Sequence, residues 1–173
     1  MTLAELLFAS LFAAVSGADA QTRIPDVLYA PTPQNVVDAM LTIAAVGPRD
    51  VVYDLGCGDG RLVVSAAKLG ARGVGIDIDQ VRVNEATANA RQSGVADRVS
   101  IRKEDLFLSD IREATVVTLF LLPELNLRLR PRLWKELKPG TRIVSHLWDM
   151  GDWKPDRKIT VNENNIVYLW TIR

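Results

Sequence analysis

The stretch that decides the fold is Val51-Val-Tyr-Asp-Leu-Gly-Cys-Gly-Asp-Gly-Arg-Leu-Val-Val-Ser-Ala-Ala-Lys-Leu69. It opens with an apolar, β-branched run, Val51 to Asp54, that reads as a buried strand, and it closes with Leu62 to Leu69, which reads as a helix. The turn between them carries Gly56, Gly58 and Gly60, residues that let backbone come close to a ligand and adopt positive φ. A dinucleotide-binding fingerprint would require a third glycine at position 61, where Arg61 stands, and a P-loop would require a lysine before Ser or Thr, which the stretch lacks. The loop carries Asp54 and Asp59 instead. Carboxylates in that place suit a cationic ligand and would repel a pyrophosphate.

Working outward, Gly73 to Asp77 reads as a strand, Val81 to Ser93 as a helix ended by Gly94, and Val99 to Lys103 as a strand. A further strand is expected over Thr115 to Leu121, a helix from Glu124 to Leu137 before Pro139 and Gly140, and a strand over Arg142 to Ser145. This alternation is the βαβ rhythm of a parallel sheet. The tail breaks it, because Lys158 to Val161 and Ile166 to Thr171 are two strand-like runs joined by Asn162, Glu163, Asn164 and Asn165, a hairpin. Upstream, Val36, Val37, Met40, Leu41 and Ala44 recur at helical spacing, with Asn35 as the expected cap and Gly47-Pro48 as the expected stop. From Arg23 to Pro33 the prolines Pro25, Pro31 and Pro33 imply an extended linker or lid.

The 173 residues have room for one ordinary core, and Lys+Arg and Asp+Glu balance at 21 each, which gives no basic field for a nucleic-acid partner. Cys57 and His146 are single representatives of their kinds, so neither a disulfide nor a cysteine-rich zinc site is expected, and no metal is assigned. Residues 1–22 form an apolar N-terminal segment distinct from the domain of residues 23–173. Leu3 to Val15 is too short for a comfortable membrane span, and Ala18-Asp-Ala20 resembles a signal-peptidase site, yet no Lys or Arg precedes Arg23. Two readings stand: a cleaved export signal, or an amphipathic helix that associates with a membrane through residues 3–15 or packs over the domain.

Acids end three successive strands. Asp77 closes the second and can accept hydrogen bonds from two ribose hydroxyls, while Asp105, before Leu106 and Phe107, can accept from an adenine amino group beside an apolar wall. Asp105 is equally the kind of residue that makes an ordinary strand-end turn.

Val51 to Gly60, Gly73 to Asp79 and Glu104 to Phe107 resemble motifs of the class I S-adenosylmethionine-dependent methyltransferases. Tyr29-Ala-Pro-Thr-Pro33, Asp54 to Arg61, Thr118-Leu-Phe-Leu-Leu-Pro123 and Arg142-Ile-Val-Ser-His146, with Trp153 and Pro155, are similar to segments of the small protein-lysine methyltransferases. These include archaeal enzymes and mitochondrial enzymes that modify the ATP synthase c subunit. The resemblance implies an α/β, Rossmann-like seven-stranded sheet, mostly parallel with an antiparallel C-terminal hairpin. It implies S-adenosylmethionine as cofactor, with Asp54, Gly56 and Gly58 at its methionine moiety, Asp77 and Ile78 at the ribose, Asp105 and Leu106 at the adenine, and Thr32 closing over it. It implies methyl transfer to an accessible lysine of a protein, with a small molecule as the alternative acceptor; the apolar N-terminal run suggests an exported, non-enzymatic binding protein as the alternative class. The segment before Pro123 lacks an Asn-Pro-Pro-Tyr type motif, so Tyr29 and Glu124 are the candidates for contact with the acceptor nitrogen. Asp149 and Asp152 read as solvated loop charges or as acids that receive the acceptor ammonium, and Trp148 and Trp153 as packing or as walls of a lysine channel. The requirement for a cytosolic cofactor favours a cytoplasmic enzyme, held at the inner face of the membrane by residues 3–15, over an exported one.

Overall fold

The computed structural model describes residues 29–173. The apolar segment 1–22, its run 3–15 and the stretch up to residue 28 lie outside the described residues. The elements follow in the order α1 (Gln34–Ile43), β1 (Val51–Leu55), α2 (Arg61–Lys68), β2 (Arg72–Asp77), α3 (Gln80–Gln92), β3 (Val99–Lys103), β4 (Val116–Leu119), α4 (Pro123–Glu136), β5 (Arg142–His146), β6 (Arg157–Asn162) and β7 (Asn165–Thr171).

The seven strands form one sheet in the order β3-β2-β1-β4-β5-β7-β6. β1 pairs in parallel with β2 on one side and β4 on the other, so the order reverses around it and a crevice opens at the carboxyl ends of these strands. β7 runs antiparallel between β5 and β6. The architecture expected from the sequence resemblance is thus the one observed.

Alternation of side chains across the pleat divides the core in two. Val52, Val116, Val144 and Val167 face Val36, Val37 and Met40 of α1 and Leu62 and Ala66 of α2. Tyr53, Leu55, Val117, Leu119 and Ile143 face the opposite side, against Leu129 and Leu133 of α4. Burying these faces anchors the strands, and with them the acids at their ends.

Four local expectations are corrected. Asn35 does not cap α1: Pro33 does, its fixed φ turning its carbonyl to accept the Val36 and Val37 N–H groups at 2.9 and 3.0 Å. The helix also stops well before Gly47-Pro48, because Ala45 takes φ +49° and the Val46 N–H closes back on the Leu41 carbonyl at 3.0 Å. The fourth strand ends at Leu119, not Leu121. Its partner β1 runs out into the glycine turn at Leu55, the residue opposite Leu119, so Phe120 and Leu121 leave the sheet. The hairpin strands reach further than expected, through Asn162 and from Asn165, leaving Glu163 and Asn164 as the turn.

Helix α2 lies tight on β2: a Cβ at Gly73 would stand 2.8 Å from the Val63 Cβ and 2.9 Å from its carbonyl oxygen. Helix backbone cannot yield as a side chain does. Gly73→Ala should therefore destabilise the fold by about 1–3 kcal/mol, lowering Tm by about 2–4 °C per kcal/mol. Thermal melting checks this, and an unchanged Tm would mean that the helix can stand off.

Candidate active site

The loop after β1 is shaped by its own backbone. The Gly56 and Cys57 N–H groups both donate to the Ile76 carbonyl, at 2.8 and 2.9 Å, and the Gly58 N–H donates to Asp77 Oδ2 at 2.8 Å. Gly58 is demanded twice over, by φ +54° and by the Tyr29 ring, which a Cβ there would meet at 2.5 Å. Cys57 turns inward and is buried. Burial pushes its thiol up, with the Asp54 charge acting the same way. It is a packing residue there, not a nucleophile.

Above this loop lies a cavity of about 320 Å³. Every residue that the sequence assigns to the cofactor lines it: Thr32, Asp54, Gly56, Gly58, Asp77, Ile78, Asp105 and Leu106. Tyr29 lines it as well. Glu124 does not; it stands exposed in the first turn of α4, between the lining residues Leu121 and Leu125. Asp77 and Asp105 also shape backbone: Asp77 Oδ1 accepts the Asp79 N–H at 2.9 Å, and Asp105 Oδ1 accepts the Phe107 N–H at 2.8 Å. Both readings of Asp105, turn-former and cavity acid, therefore hold together. Each carboxylate oxygen has two lone-pair directions, so such bonds orient an acid without exhausting it.

Residues 29–33 cross the cavity as a strap. Arg61 holds it, its Nη1 donating to the Thr32 carbonyl at 2.9 Å while Nε and Nη2 grip the Asp59 carboxylate at 3.0 and 2.6 Å. Arg82 stacks over the Tyr29 ring with its guanidinium carbon 4.5 Å from the centroid. Although burial pushes Asp59 up, Arg61 brings it below the ordinary carboxylate range. Burial and the Asp59 charge raise Tyr29, so its phenol stays protonated.

Asp54 is the electrostatic centre. It is 7% exposed, and burial pushes its pKa up to about 7, opposed by the Thr118 hydroxyl, which donates to Oδ1 at 2.7 Å, and reinforced by Asp77 and Asp59. A carboxylate at that cost is suited to receive a ligand cation.

Sequence reasoning reads Arg61 only as a missing glycine, although an arginine two residues after Asp59 can grip it and still reach a carbonyl. It does not single out Phe120, Met40 or Arg82, which also line the cavity. Phe120 is hidden inside an overlong expected strand. Trp153 packs between Trp134 and Trp170, with ring centroids 5.2 and 5.8 Å away, so it belongs to the core side, whereas Trp148 is exposed. Asp152 pairs with Arg130.

A reversed seventh strand inserted in a parallel sheet, over a glycine turn flanked by strand-end acids, is the construction of the class I methyltransferases. Residues 54–157 match the family model of the ANTKMT methyltransferase domain. The chain belongs to that family. It is 51% identical to a protein-lysine N-methyltransferase of Saccharolobus islandicus over 86% of this chain and 96% of that one. It is 31% identical to the adenine nucleotide translocase lysine N-methyltransferase of Mus musculus, over 77% of this chain and 59% of that one. Among solved structures, an RNA methyltransferase from Salinibacter ruber in complex with S-adenosyl-L-homocysteine is 57% identical, with a TM-score of 0.81, over 83% of this chain and 94% of that one.

The raised pKa of Asp54 carries a sign that can be tested. Between the ordinary carboxylate value of 3.8 and about 7, the folded state holds a proton that the unfolded state has lost, so this group's contribution to stability falls as pH rises through that window. Asp54→Asn should remove that decline and raise the stability of the ligand-free protein at pH 8 by about 1–3 kcal/mol. The same variant should lose S-adenosylmethionine binding. In the native protein, calorimetry should give a dissociation constant on the order of 1–100 μM, weakening about tenfold between pH 8 and pH 6 as Asp54 takes up its proton. Asp77→Ala should weaken binding severely, and affinity independent of pH would remove Asp54 from the site.

Proposed function

We propose that this methyltransferase transfers the methyl group of S-adenosylmethionine to the Nζ of a lysine in a protein. The observation that carries the reading is near-full-length identity with a protein named for that activity. The cavity's chemistry supports it. Asp54, Asp59, Asp77, Asp79, Glu104 and Asp105 line the cavity against only two guanidiniums, Arg61 and Arg82, among its described residues, a balance that draws cations and resists phosphates.

The cofactor supplies a methyl group already activated on a sulfonium. When it is bound, Asp54 would hold its ammonium and Asp77, beside Ile78, its ribose hydroxyls. Asp105 would hold the adenine amino group against Leu106. Thr32 and Tyr29, latched by Arg61, would cover the ligand and exclude water, and Gly56 and Gly58 would let it lie on the backbone. Transfer then needs a neutral amine in line with the methyl carbon, and alignment supplies much of the rate. Glu124, exposed between Leu121 and Leu125, attracts the lysine ammonium to the mouth and lowers the cost of bringing it there. Tyr29, its phenol protonated, acts as cover and not as base.

The Salinibacter ruber structure, named for RNA, gives a second reading a specific basis. Both are tested by incubating host lysate with the protein and methyl-labelled cofactor. Label that survives nuclease, disappears with protease and is recovered as methyl-lysine is the expected result. Label lost to nuclease would transfer the assignment to RNA, and label in small molecules would move it to that class.

For residues 3–15 we propose attachment to the inner face of a membrane, with the domain in the cytoplasm where its cofactor is made. Among the described residues no helix is long and apolar enough to cross a membrane. Intact mass and fractionation of the protein from its own host should find residues 1–20 retained and the chain with the membrane. A chain beginning at Gln21 in a soluble extracytoplasmic fraction would refute this.

A further inference from the structure

β5 ends in His146, the single histidine of the chain. It is 2% exposed. Its ring lies against Phe120, with centroids 4.1 Å apart and planes tilted by 40°, and Phe120 lines the cavity. Its Nε2 stands 2.7 Å from Oδ1 of Asn165 at the start of β7. That amide is oriented by its own Nδ2, which donates to Asn162 Oδ1 at 2.7 Å. Nε2 therefore carries the proton, and Nδ1 is a bare lone pair. Burial holds the imidazole below its usual pKa, against the opposing effect of the Asn165 hydrogen bond, so the ring stays neutral.

Among the described residues the buried Nδ1 has no hydrogen-bond partner. A phenylalanine would fill the space against Phe120 without an orphaned nitrogen. A glutamine would serve Asn165 without a ring. Histidine does both. Immediately beyond it the backbone is strained: Leu147 has φ +69°, and the Trp148 N–H closes on the His146 carbonyl at 2.8 Å, the uncommon form of the three-residue turn. That turn is clamped by the Leu147 N–H to the Ile166 carbonyl at 2.7 Å and by the Ser145 hydroxyl to the Trp148 carbonyl at 2.6 Å. This strained turn fixes the end of β5, and with it the His146 ring against Phe120.

Sheet order tells which end of the cavity is concerned. The acids that suit the cofactor end β1, β2 and β3, whereas Phe120 follows β4 and His146 ends β5, on the other side of β1. A ligand laid along those acids would turn its remaining, methyl-bearing end toward that side. We propose that His146 is a positioning residue for methyl transfer: its ring holds the Phe120 ring as a fixed wall at the acceptor end of the cavity. This rests on methyl transfer at the cavity and not on lysine as the acceptor.

The test uses two cofactor analogues and no acceptor, so that failure of the lysine reading leaves it intact. S-adenosylhomocysteine lacks the methyl group. Sinefungin bears an amine-carrying carbon in place of the methylsulfonium, and so probes the acceptor end. By calorimetry, His146→Gln should lose about tenfold in sinefungin affinity with S-adenosylhomocysteine within about twofold, the scale expected of a displaced wall. His146→Phe, which keeps the ring, should retain both. Phe120→Leu should reproduce the glutamine effect, and the double variant should be no worse than either single one. Three results would overturn the proposal: full sinefungin affinity in His146→Gln, equal weakening of both ligands there, or His146→Phe impaired like the glutamine variant. The last would make the Asn165 hydrogen bond, and not the ring, the point of the residue. Should His146→Gln fail to fold, His146→Leu takes its place, with the same expected loss of sinefungin affinity and the same results overturning the proposal.

Discussion

A carboxylate buried without neutralisation is the constraint on which the site depends. Asp54 lies within the central strand's run of buried residues, almost wholly out of water, with a neutral hydroxyl from Thr118 as its stabilising contact and two further acids, Asp77 and Asp59, acting against it. A fold tolerates such a group only if the surrounding core is strong enough to hold it. The two apolar layers that sandwich β1 provide that, because Val52 is locked to α1 and α2 and Tyr53 and Leu55 to the α4 side. Rigid burial on both faces leaves the carboxylate no escape to solvent, and a cationic ligand becomes its best available partner. Binding and stability are in this sense opposed in the empty protein and joined in the loaded one.

Arg61 connects this constraint to the strap. It lies just beyond the last glycine of the turn and begins α2, so its position is set by the same backbone that forms the cofactor loop. One guanidinium serves two elements, the loop through Asp59 and the strap through the Thr32 carbonyl. Its planar array of donors permits this, whereas a lysine would offer one point charge to both. The cover over the cavity is thereby referenced to its floor.

How much of this is legible in the sequence depends on whether the signal is local. The strand, turn and helix from Val51 to Leu69 and the acids Asp77 and Asp105 announce themselves through periodicity and turn chemistry, and the cavity gathers all of them. Helix α1 is legible from Val36, Val37, Met40 and Leu41, but its ends are not. A proline caps it where Asn35 has the better propensity, and Ala45 takes a left-handed turn usually left to glycine. What stays hidden is tertiary: Arg61 reaching the strap, Phe120 leaving the sheet because β1 runs out beside it, and His146 touching both Phe120 and Asn165. None of these leaves a pattern along the chain, since each joins residues far apart in sequence or depends on a neighbouring strand.

The C-terminal hairpin shows what topology contributes beyond pattern. Had the chain continued with another parallel strand, that strand's first residues would lie at the far end of the sheet from the crevice. Because β7 runs antiparallel to β5, its beginning stands beside the end of β5, with Val167 opposite His146, while its own end lies opposite the start of β5, with Thr171 facing Arg142. Asn165 therefore arrives at the crevice by direction of travel alone, directly after a two-residue turn. β6 closes the edge outside it with a mostly exposed strand that begins Arg157-Lys158, charges that discourage pairing with another chain. The reversed strand thus delivers a side-chain amide to His146 at the end of β5, which a further parallel unit in the same place would not do.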